Sequence, residues 1–215
     1  MSARENILKR IRVALGRAGA ATTEERQAVE AAVAARQPGP QPAMPWETLS
    51  RFRERCITLT TTVDQVAARA ALPQAVARYL ADRDLPRRAV CWRELLGLDW
   101  EQAGVQVEAR GCTGSDLVGI TGAFCGIAET GTLMLLSSPD TAAATSLLPE
   151  THIAVLPSTR VLRTMEEAFG LLRKEHGELP RAINFVSGPS RTADIEQTVT
   201  LGAHGPYRVH VILVS

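Results

Sequence analysis

The fold is decided by residues 152–187, HIAVLPSTRVLRTMEEAFGLLRKEHGELPRAINFVS. Residues 152–156 and 182–187 have the length and composition of β-strands. Between them, Thr164-Met-Glu-Glu167 has the spacing of a capping box, which predicts a helix that continues to about His176. A strand, a helix and a second strand in this order predict a βαβ unit with parallel strands.

The same alternation of strands and helices continues over much of the chain. Further helices are predicted around residues 46–56 and 64–83. Further strands are predicted at residues 57–63, 88–92, 105–108, 133–137 and 208–214. We therefore predict an α/β fold, in which a Rossmann-like, mainly parallel sheet is flanked by helices.

Residues 1–36 are predicted to form a separate helical arm. The sequences beginning at Ser2 and Thr22 are two further capping boxes, and each is followed by helix-forming residues. Residues 37–45 contain four prolines and predict an extended linker, because proline cannot continue a helix. The α/β domain then occupies residues 46–215.

Charge and cysteine usage narrow the function classes. The chain has 24 Lys and Arg against 23 Asp and Glu, so we predict no nucleic-acid partner. No apolar segment has the ~20 residues that a membrane span needs, and we expect no secretory signal. The four cysteines form no C-x-x-C pair and the four histidines lack metal-ligand spacing. We therefore expect no metal or other cofactor in this chain, and a cytoplasmic location.

A glycine-rich stretch is the most unusual part of the sequence. No Lys or Arg occurs between Arg110 and Arg160. Within this interval, a window of 21 residues holds six glycines: Gly111, Gly114, Gly119, Gly122, Gly126 and Gly131. Glycines at this density allow sharp turns or the close approach of a ligand to the backbone.

The first candidate site lies in this stretch, in the segment GIAETGTLMLL at residues 126–136, where Glu129 lies between two glycines. A carboxylate removed from water must be hydrogen-bonded, paired or protonated. One interpretation makes Glu129 a nucleophile or general base at a sheet edge. It would be assisted by the backbone N–H groups of Thr130, Gly131 and Thr132 and by the two threonine hydroxyls. The alternative is a turn in which Glu129 caps neighbouring N–H groups. The residues alone leave both interpretations open.

Two later segments offer further candidates. SGPSRTADIE, residues 187–196, follows a predicted strand and is expected to open a short helix, whose N-terminus attracts anions. Its candidate substrate-binding residues are Ser187, Gly188, Ser190, Arg191, Thr192 and Asp194. Ordinary helix capping explains the same residue types. His204, in the turn LGAHGPY, is either a catalytic acid or base or a hydrogen-bonded structural histidine.

Three blocks in this order resemble the lactate-utilisation protein C family, the stand-alone LUD-domain proteins: GITGAFCGIAETGTLMLLSSP, SLLPETHIAVLPS and SGPSRTADIEQTVTLGAHGPYRVHVILV. The resemblance covers about residues 46–215. It implies a Rossmann-like domain related to the superfamily of CoA transferases, ribose-5-phosphate isomerase, glucosamine-6-phosphate deaminase and formyltetrahydrofolate cyclo-ligase. It also implies a three-component system, with two iron–sulfur proteins as partners, that oxidises L-lactate to pyruvate and supports growth on lactate.

The resemblance is compatible with three roles. In the first, the chain is a clusterless accessory or substrate-binding subunit of an L-lactate dehydrogenase complex; it binds a small carboxylate such as L-lactate, and its partners hold the iron–sulfur clusters. In the second, it is a stand-alone enzyme of transferase or isomerase type, because Glu129 is positionally similar to the nucleophilic glutamate of CoA transferases. In the third, it is a structural scaffold. Some relatives carry an arginine where residues 140–146 have none, which leaves that charge to Arg191 or a partner subunit.

Overall fold

The computed structural model describes residues 2–17, 21–192 and 200–215. The chain divides into two compact units, Met1–Met44 and Pro45–Ser215. Within the described residues, every helix is too short or too polar to cross a membrane. All of the strands among the described residues lie in the second unit.

The first unit contains two helices, α1 (Ala3–Ala14) and α2 (Thr23–Ala35). Each begins at a capping box, as the sequence predicts. The hydroxyl of Ser2 accepts a hydrogen bond from the N–H of the third helical residue, and the hydroxyl of Thr22 does the same in α2. Neither helix contains a buried residue, so local capping rather than core packing defines these two helices.

The second unit alternates strands and helices along the chain. Its helices are α3 (Thr48–Thr58), α4 (Leu72–Ala81), α5 (Ala144–Leu147) and α6 (Met165–His176). Its strands are β1 (Thr62–Val66), β2 (Arg88–Cys91), β3 (Gln106–Glu108), β4 (Val118–Gly122), β5 (Cys125–Ile127), β6 (Thr132–Leu136), β7 (Thr151–Pro157), β8 (Val161–Leu162), β9 (Ile183–Val186), β10 (Arg191–Thr192), β11 (Thr200–Leu201) and β12 (Arg208–Val214).

Six of these strands form a central sheet in the order β1, β12, β7, β4, β2, β3, and every neighbouring pair in it is parallel. The predicted α/β fold with a mainly parallel sheet is therefore confirmed. The innermost strands are buried on both faces, as parallel sheets require. Along β7, Ile153 packs into the core on the α4 side, whereas Leu156 packs into the core that contains α3 and the second sheet.

The second sheet corrects the predicted βαβ unit. Its strand order is β8, β5, β6, β9, and β9 pairs antiparallel with β6. β7 and α6 form as predicted, but β9 does not return to the parallel sheet. The reason is visible in its burial, because β9 is only partly buried and exposes Phe185, whereas β7 is almost wholly buried. A half-exposed strand suits the edge of an antiparallel sheet.

The strand predicted at residues 57–63 is also wrong over most of its length. α3 continues to Thr58, and β1 begins only at Thr62 and extends to Val66, into the segment predicted as helix. The β-branched residues here favour a strand by propensity, but the buried Phe52 and Cys56 lie one helical turn apart and hold this segment as a helix against the core. Tertiary packing overrides local propensity at this point.

β4 is a central strand that the sequence did not predict, because its sequence Val-Gly-Ile-Thr-Gly has two glycines in five residues. Gly119 is required by packing against α5, since a Cβ at this position would lie 2.0 Å from the carbonyl oxygen of Thr145. Gly122 ends the strand and faces a different neighbour, described below. The glycine-rich stretch therefore includes the middle of the sheet.

Candidate functional site

Glu129 lies at the tip of the hairpin between β5 and β6. Gly131 closes this turn with a positive φ of 67°, and its N–H donates a hydrogen bond to the carbonyl of Ile127 at 2.9 Å. The carboxylate of Glu129 accepts a hydrogen bond from the N–H of Met165 at 2.8 Å. Met165 is the first residue of α6, so a negative charge lies at the positive end of that helix.

Two further N–H groups near the start of α6 donate to nearby side chains. Thr164 is the N-cap residue, and its hydroxyl accepts a hydrogen bond from the N–H of Glu167 at 3.2 Å. The Glu167 carboxylate in turn accepts one from the N–H of Arg163 at 2.8 Å. Glu129 therefore joins a set of capping groups, and its carboxylate connects the hairpin tip to a helix 36 residues later in the chain.

Three of the predicted hydroxyl residues do come together. The hydroxyls of Thr130 and Thr132 lie 2.7 Å apart, and those of Thr132 and Ser187 also lie 2.7 Å apart. The pairing of β6 with β9 brings them into contact, since Leu133 is opposite Val186 in the sheet. Thr132 is buried, whereas Thr130 and Ser187 are exposed. These contacts form a short chain of hydroxyls at one end of the second sheet.

Gly188 and Arg191 lie against the C-terminal end of α3. The Arg191 guanidinium donates to the carbonyl of Leu59 and to the hydroxyl of Thr60, both at 3.2 Å. Gly188 has a φ of 83°, and a Cβ there would lie 2.6 Å from the Leu59 carbonyl oxygen. Arg191 therefore places a positive charge at the negative, C-terminal end of α3. Glu129 is its counterpart, a negative charge at the positive, N-terminal end of α6.

The predicted helix start at residues 187–196 is wrong for the residues that the structure describes. Arg191 and Thr192 instead form β10, which pairs antiparallel with β11. Asp194 lies outside the described residues. The N–H of Ser190 donates to the carbonyl of Pro206 at 2.9 Å, so this segment packs against the turn that contains His204. His204 itself is exposed.

All of these residues lie towards the amino-terminal edge of the parallel sheet, where α3 ends before β1 and the His204 turn leads into β12. None of them lines the clefts at the opposite, carboxyl-terminal edge. Ligands of open α/β sheets bind at the carboxyl-terminal edge, at the strand switch point, where the strand order reverses direction. Here the point falls between β2 and β4, because the chain continues outward from β2 to β3 but in the other direction from β4 to β7.

Two adjoining clefts occupy this point, and together we name them the carboxyl-edge crevice. One encloses about 310 Å³ beside Gly122 and Arg160, and the other about 320 Å³ beside Ser137 and Thr141. Each is at the lower end of the range for small-molecule sites. The residues that the two clefts share include Glu94, Ala123, Phe124 and His176.

Cationic and aromatic side chains build one wall of the crevice. The Arg160 guanidinium donates to the carbonyl of Phe124 and stacks over its ring, 4.6 Å from the centroid. It also forms a bidentate pair with Glu175, at 3.1 and 2.9 Å. Hydrogen bonding from Arg160 lowers the pKa of the Glu175 carboxyl, which therefore stays ionised. The ring of His176 meets the edge of Phe124 at a centroid distance of 5.6 Å.

The opposite wall carries the carboxylate of Glu94, a residue that is exposed to solvent. It lies so close to the backbone of Gly122 that a Cβ at position 122 would be 2.0 Å from its Oε1 atom. Among the described residues no hydrogen bond or ion pair involves this carboxylate. Arg69 lies beside it, and its guanidinium donates to the backbone carbonyl of Glu94 at 2.7 Å. The crevice thus combines cations with one unpaired anion, which suits a small polar ligand.

Sequence reasoning missed the crevice because β4 was not predicted. Glu94 follows the predicted strand at residues 88–92, and Gly122 belongs to the glycine-rich stretch. Without β4 as a neighbour of β2, nothing indicated that the two residues meet. The pairing of strands distant in the sequence was the missing information.

The cysteines of the chain are all free. Cys56, Cys91 and Cys125 are buried, and burial raises their thiol pKa to about 12, 11 and 12, so these thiols stay protonated at neutral pH. Across residues 2–17, 21–192 and 200–215, no group of three or more His, Cys, Asp or Glu side chains is arranged to hold a metal ion.

Comparison with known proteins finds a family that resembles the C-terminal part of the chain. Residues 113–214 match the model of the LUD domain. This segment is similar to the LUD domain. Four crevice residues lie within the matched stretch, namely Gly122, Phe124, Arg160 and His176, whereas Arg69 and Glu94 precede it.

Relatives of the LUD domain confirm the resemblance seen in the sequence. Lactate utilization protein C of Bacillus subtilis is 41% identical over 101 residues, which are 46% of this chain and 42% of that protein. Lactate utilization protein C of an Exiguobacterium species is 33% identical over 143 residues, 64% of this chain and 61% of that protein. The matches thus span about half the length of these relatives.

A solved structure extends the likeness to the fold. The crystal structure of a DUF162 family protein from Deinococcus radiodurans is 26% identical in sequence and superimposes with a TM-score of 0.60. The match covers 81% of this chain and 100% of that one. The similarity therefore extends beyond the LUD-domain match at residues 113–214.

Proposed function

We propose that this LUD-domain protein is a component of a lactate-utilisation system and binds a small carboxylate in the carboxyl-edge crevice. The observation that carries the proposal is the crevice itself, which lies at the strand switch point and is lined by Arg69, Arg160 and His176. The link to lactate comes from the relatives named lactate utilization protein C. In more detail, the proposed role is that of a subunit without iron–sulfur clusters, which works with two iron–sulfur proteins to oxidise L-lactate to pyruvate.

The alternative in which Glu129 is the nucleophile of a stand-alone enzyme has less support. The Glu129 carboxylate already accepts a hydrogen bond at the start of α6, and none of the clefts described above includes it. A nucleophile needs an open approach for the reacting atom and a neighbouring base or electrophilic group. The scaffold role is not favoured by any single contact, and it predicts that changes inside the crevice have no effect.

Two exposed histidines give a matched test of the site. His176 lines the crevice, and His204 lies at the opposite edge of the sheet. In a strain that lacks this protein and has no other lactate dehydrogenase, the unchanged chain should restore growth on L-lactate. We expect His176→Leu to slow that growth and His204→Leu to leave it normal. Normal growth with both variants would contradict the crevice as the site, and no rescue by the unchanged chain would contradict the role in lactate utilisation.

The proposed partners are tested separately. The full chain, produced together with the two iron–sulfur proteins, should co-purify with both of them, and the purified assembly should oxidise L-lactate with an artificial electron acceptor. The assembly without this chain should lose that activity. If two iron–sulfur proteins alone oxidise L-lactate at the full rate, this chain is not a component of the oxidising complex.

A further inference from the structure

We propose that Glu94 determines the ligand specificity of the carboxyl-edge crevice by accepting a hydrogen bond from the ligand's hydroxyl group. The ligand class is then a 2-hydroxycarboxylate, and the corresponding 2-oxo acid is disfavoured. This inference rests on the proposed function, since it assumes that the crevice binds a small carboxylate. Nothing in the sequence patterns singles out Glu94; its placement in the fold does.

The backbone around Glu94 is fixed on both sides. It lies in a single turn of 3-10 helix, Arg93–Leu95, directly after β2. Trp92 is buried, and its indole N–H donates to the carbonyl of Ala142 at 3.2 Å. Leu95 is fully buried on the other side. Together with the bond from Arg69 to the Glu94 carbonyl, these contacts hold residue 94 at the mouth of the crevice.

The absence of a side chain at Gly122 leaves room for the Glu94 carboxylate. Any residue other than glycine at position 122 would put a Cβ where the Glu94 carboxylate lies, 2.0 Å from Oε1. The next atom that such a Cβ would meet outside Glu94 belongs to Trp92, at an ordinary contact distance of 3.7 Å. Gly122 also has no positive φ, so backbone conformation does not require a glycine. The carboxylate is the flexible end of a side chain and would move aside, so a side chain at position 122 would displace it from this place in the crevice.

The charges around Glu94 give the chemistry. The other carboxylate of the crevice, Glu175, is neutralised by the bidentate pair with Arg160, whereas that of Glu94 has no partner among the described residues. A hydroxyl of a ligand can donate to this carboxylate, while the ligand's own carboxylate is attracted to Arg69 and His176. A keto oxygen has no proton to donate and would face the negative charge of Glu94. A site built to bind a hydroxyl rejects an analogue without one.

The test compares L-lactate with pyruvate as ligands of the full chain by titration calorimetry. We expect the unchanged protein to bind L-lactate at least roughly tenfold more tightly than pyruvate, the value of one charge-assisted hydrogen bond. Glu94→Gln should abolish this preference, because an amide can donate to a keto oxygen as well as accept from a hydroxyl. Gly122→Ala should also weaken the preference, because the new methyl group displaces the Glu94 carboxylate. Glu101→Gln, an exposed glutamate outside the crevice, is the matched control and should behave as the unchanged protein.

The outcomes separate the two proposals. A preference for L-lactate that survives in Glu94→Gln overturns the inference, and so does an unchanged protein that binds pyruvate as tightly as L-lactate or binds neither. Thermal unfolding verifies that each variant is folded. If Glu94→Gln or Gly122→Ala is not folded, Glu94→Asp is tested in its place. It shortens the side chain by one methylene and should also weaken the preference for L-lactate. If the unchanged chain restores growth on L-lactate but Glu94→Gln keeps the preference, only the role of Glu94 fails. If it does not restore growth, the proposed function fails whatever the binding preference.

Discussion

Glu129 accepts a hydrogen bond from the backbone N–H of Met165 at 2.8 Å, which places its carboxylate at the N-terminal end of α6. The charge that stands out in the sequence is therefore compensated by a helix end. Its counterpart is Arg191, whose guanidinium donates to the carbonyl of Leu59 at the C-terminal end of α3. Both side chains have the sign that the helix dipole favours.

Replacement of Glu129 should affect stability more than function. We expect Glu129→Ala to lower the free energy of unfolding by about 1 kcal/mol, the usual cost of a lost helix cap. Glu129→Gln keeps an acceptor oxygen but loses the charge, so its cost should be roughly 0.3–1 kcal/mol. Urea unfolding measures both. Growth on L-lactate should persist with Glu129→Gln, and its loss in a variant of unchanged stability would give the carboxylate a chemical role.

Arg191→Ala should destabilise the protein slightly and in a salt-dependent way. The side chain is exposed, so we expect a loss of roughly 0.5–1 kcal/mol at low ionic strength, which decreases as salt screens the charge. Urea unfolding at low and high NaCl concentration measures the difference. Arg181→Ala is the control, because Arg181 is exposed and no hydrogen bond or ion pair involves its side chain within the described residues. An equal effect of both variants would contradict a capping role for Arg191.

Two glycines should respond to alanine in opposite directions. Gly131→Ala puts a side chain on a residue with a φ of 67°, and its Cβ would lie 2.7 Å from the Cβ of Arg55 and 2.9 Å from the backbone of Cys56. Left-handed strain and overpacking together should lower the free energy of unfolding by roughly 2–5 kcal/mol. Gly170→Ala, in the open interior of α6 with no atom within 4 Å, should raise it by about 0.5–1 kcal/mol. Thermal or urea unfolding compares the two directly.

Two buried histidines should make the protein sensitive to mild acid. His152 lies in the parallel sheet with its Nε2 atom 2.8 Å from the hydroxyl of Thr121, and His210 stacks on Tyr79 at 3.9 Å. Burial lowers the pKa of both imidazoles from 6.5 to about 4. Because the unfolded chain then binds protons that the folded chain does not, the free energy of unfolding is highest above pH 6.5 and falls as the pH drops towards 4.

The loss should be at most about 3 kcal/mol for each histidine, from the size of the pKa shift. Urea unfolding at several pH values between 7 and 4.5 measures the slope. Carboxyl groups with a lowered pKa, such as that of Glu175, lose their stabilising effect only as the pH falls below their unfolded pKa of about 4.5. His210→Gln should reduce the slope, whereas His204→Gln, with an exposed side chain, should leave it unchanged. If His210→Gln leaves the slope unchanged, protonation of His210 is not a cause of the acid sensitivity.

The sequence determined the elements whose signals are local. Helices begin where predicted at the capping boxes of Ser2 and Thr22 and at the N-cap Thr164, and the last strand, residues 208–214, has the predicted bounds. The fold class followed from their alternation. These features depend on groups a few residues apart, so no tertiary information is needed to find them.

Only the tertiary structure decided which strands are neighbours, and with them the site. β4 was hidden by its glycines: packing against α5 requires Gly119, and Gly122 leaves room for the Glu94 carboxylate. β9 joined the second sheet because it is only half-buried. The partner of Glu129 proved to be a helix end, and the unpaired carboxylate of the crevice proved to be that of Glu94. The sequence gives the charge of each side chain. Its neighbours depend on strand pairing and helix packing across the whole domain.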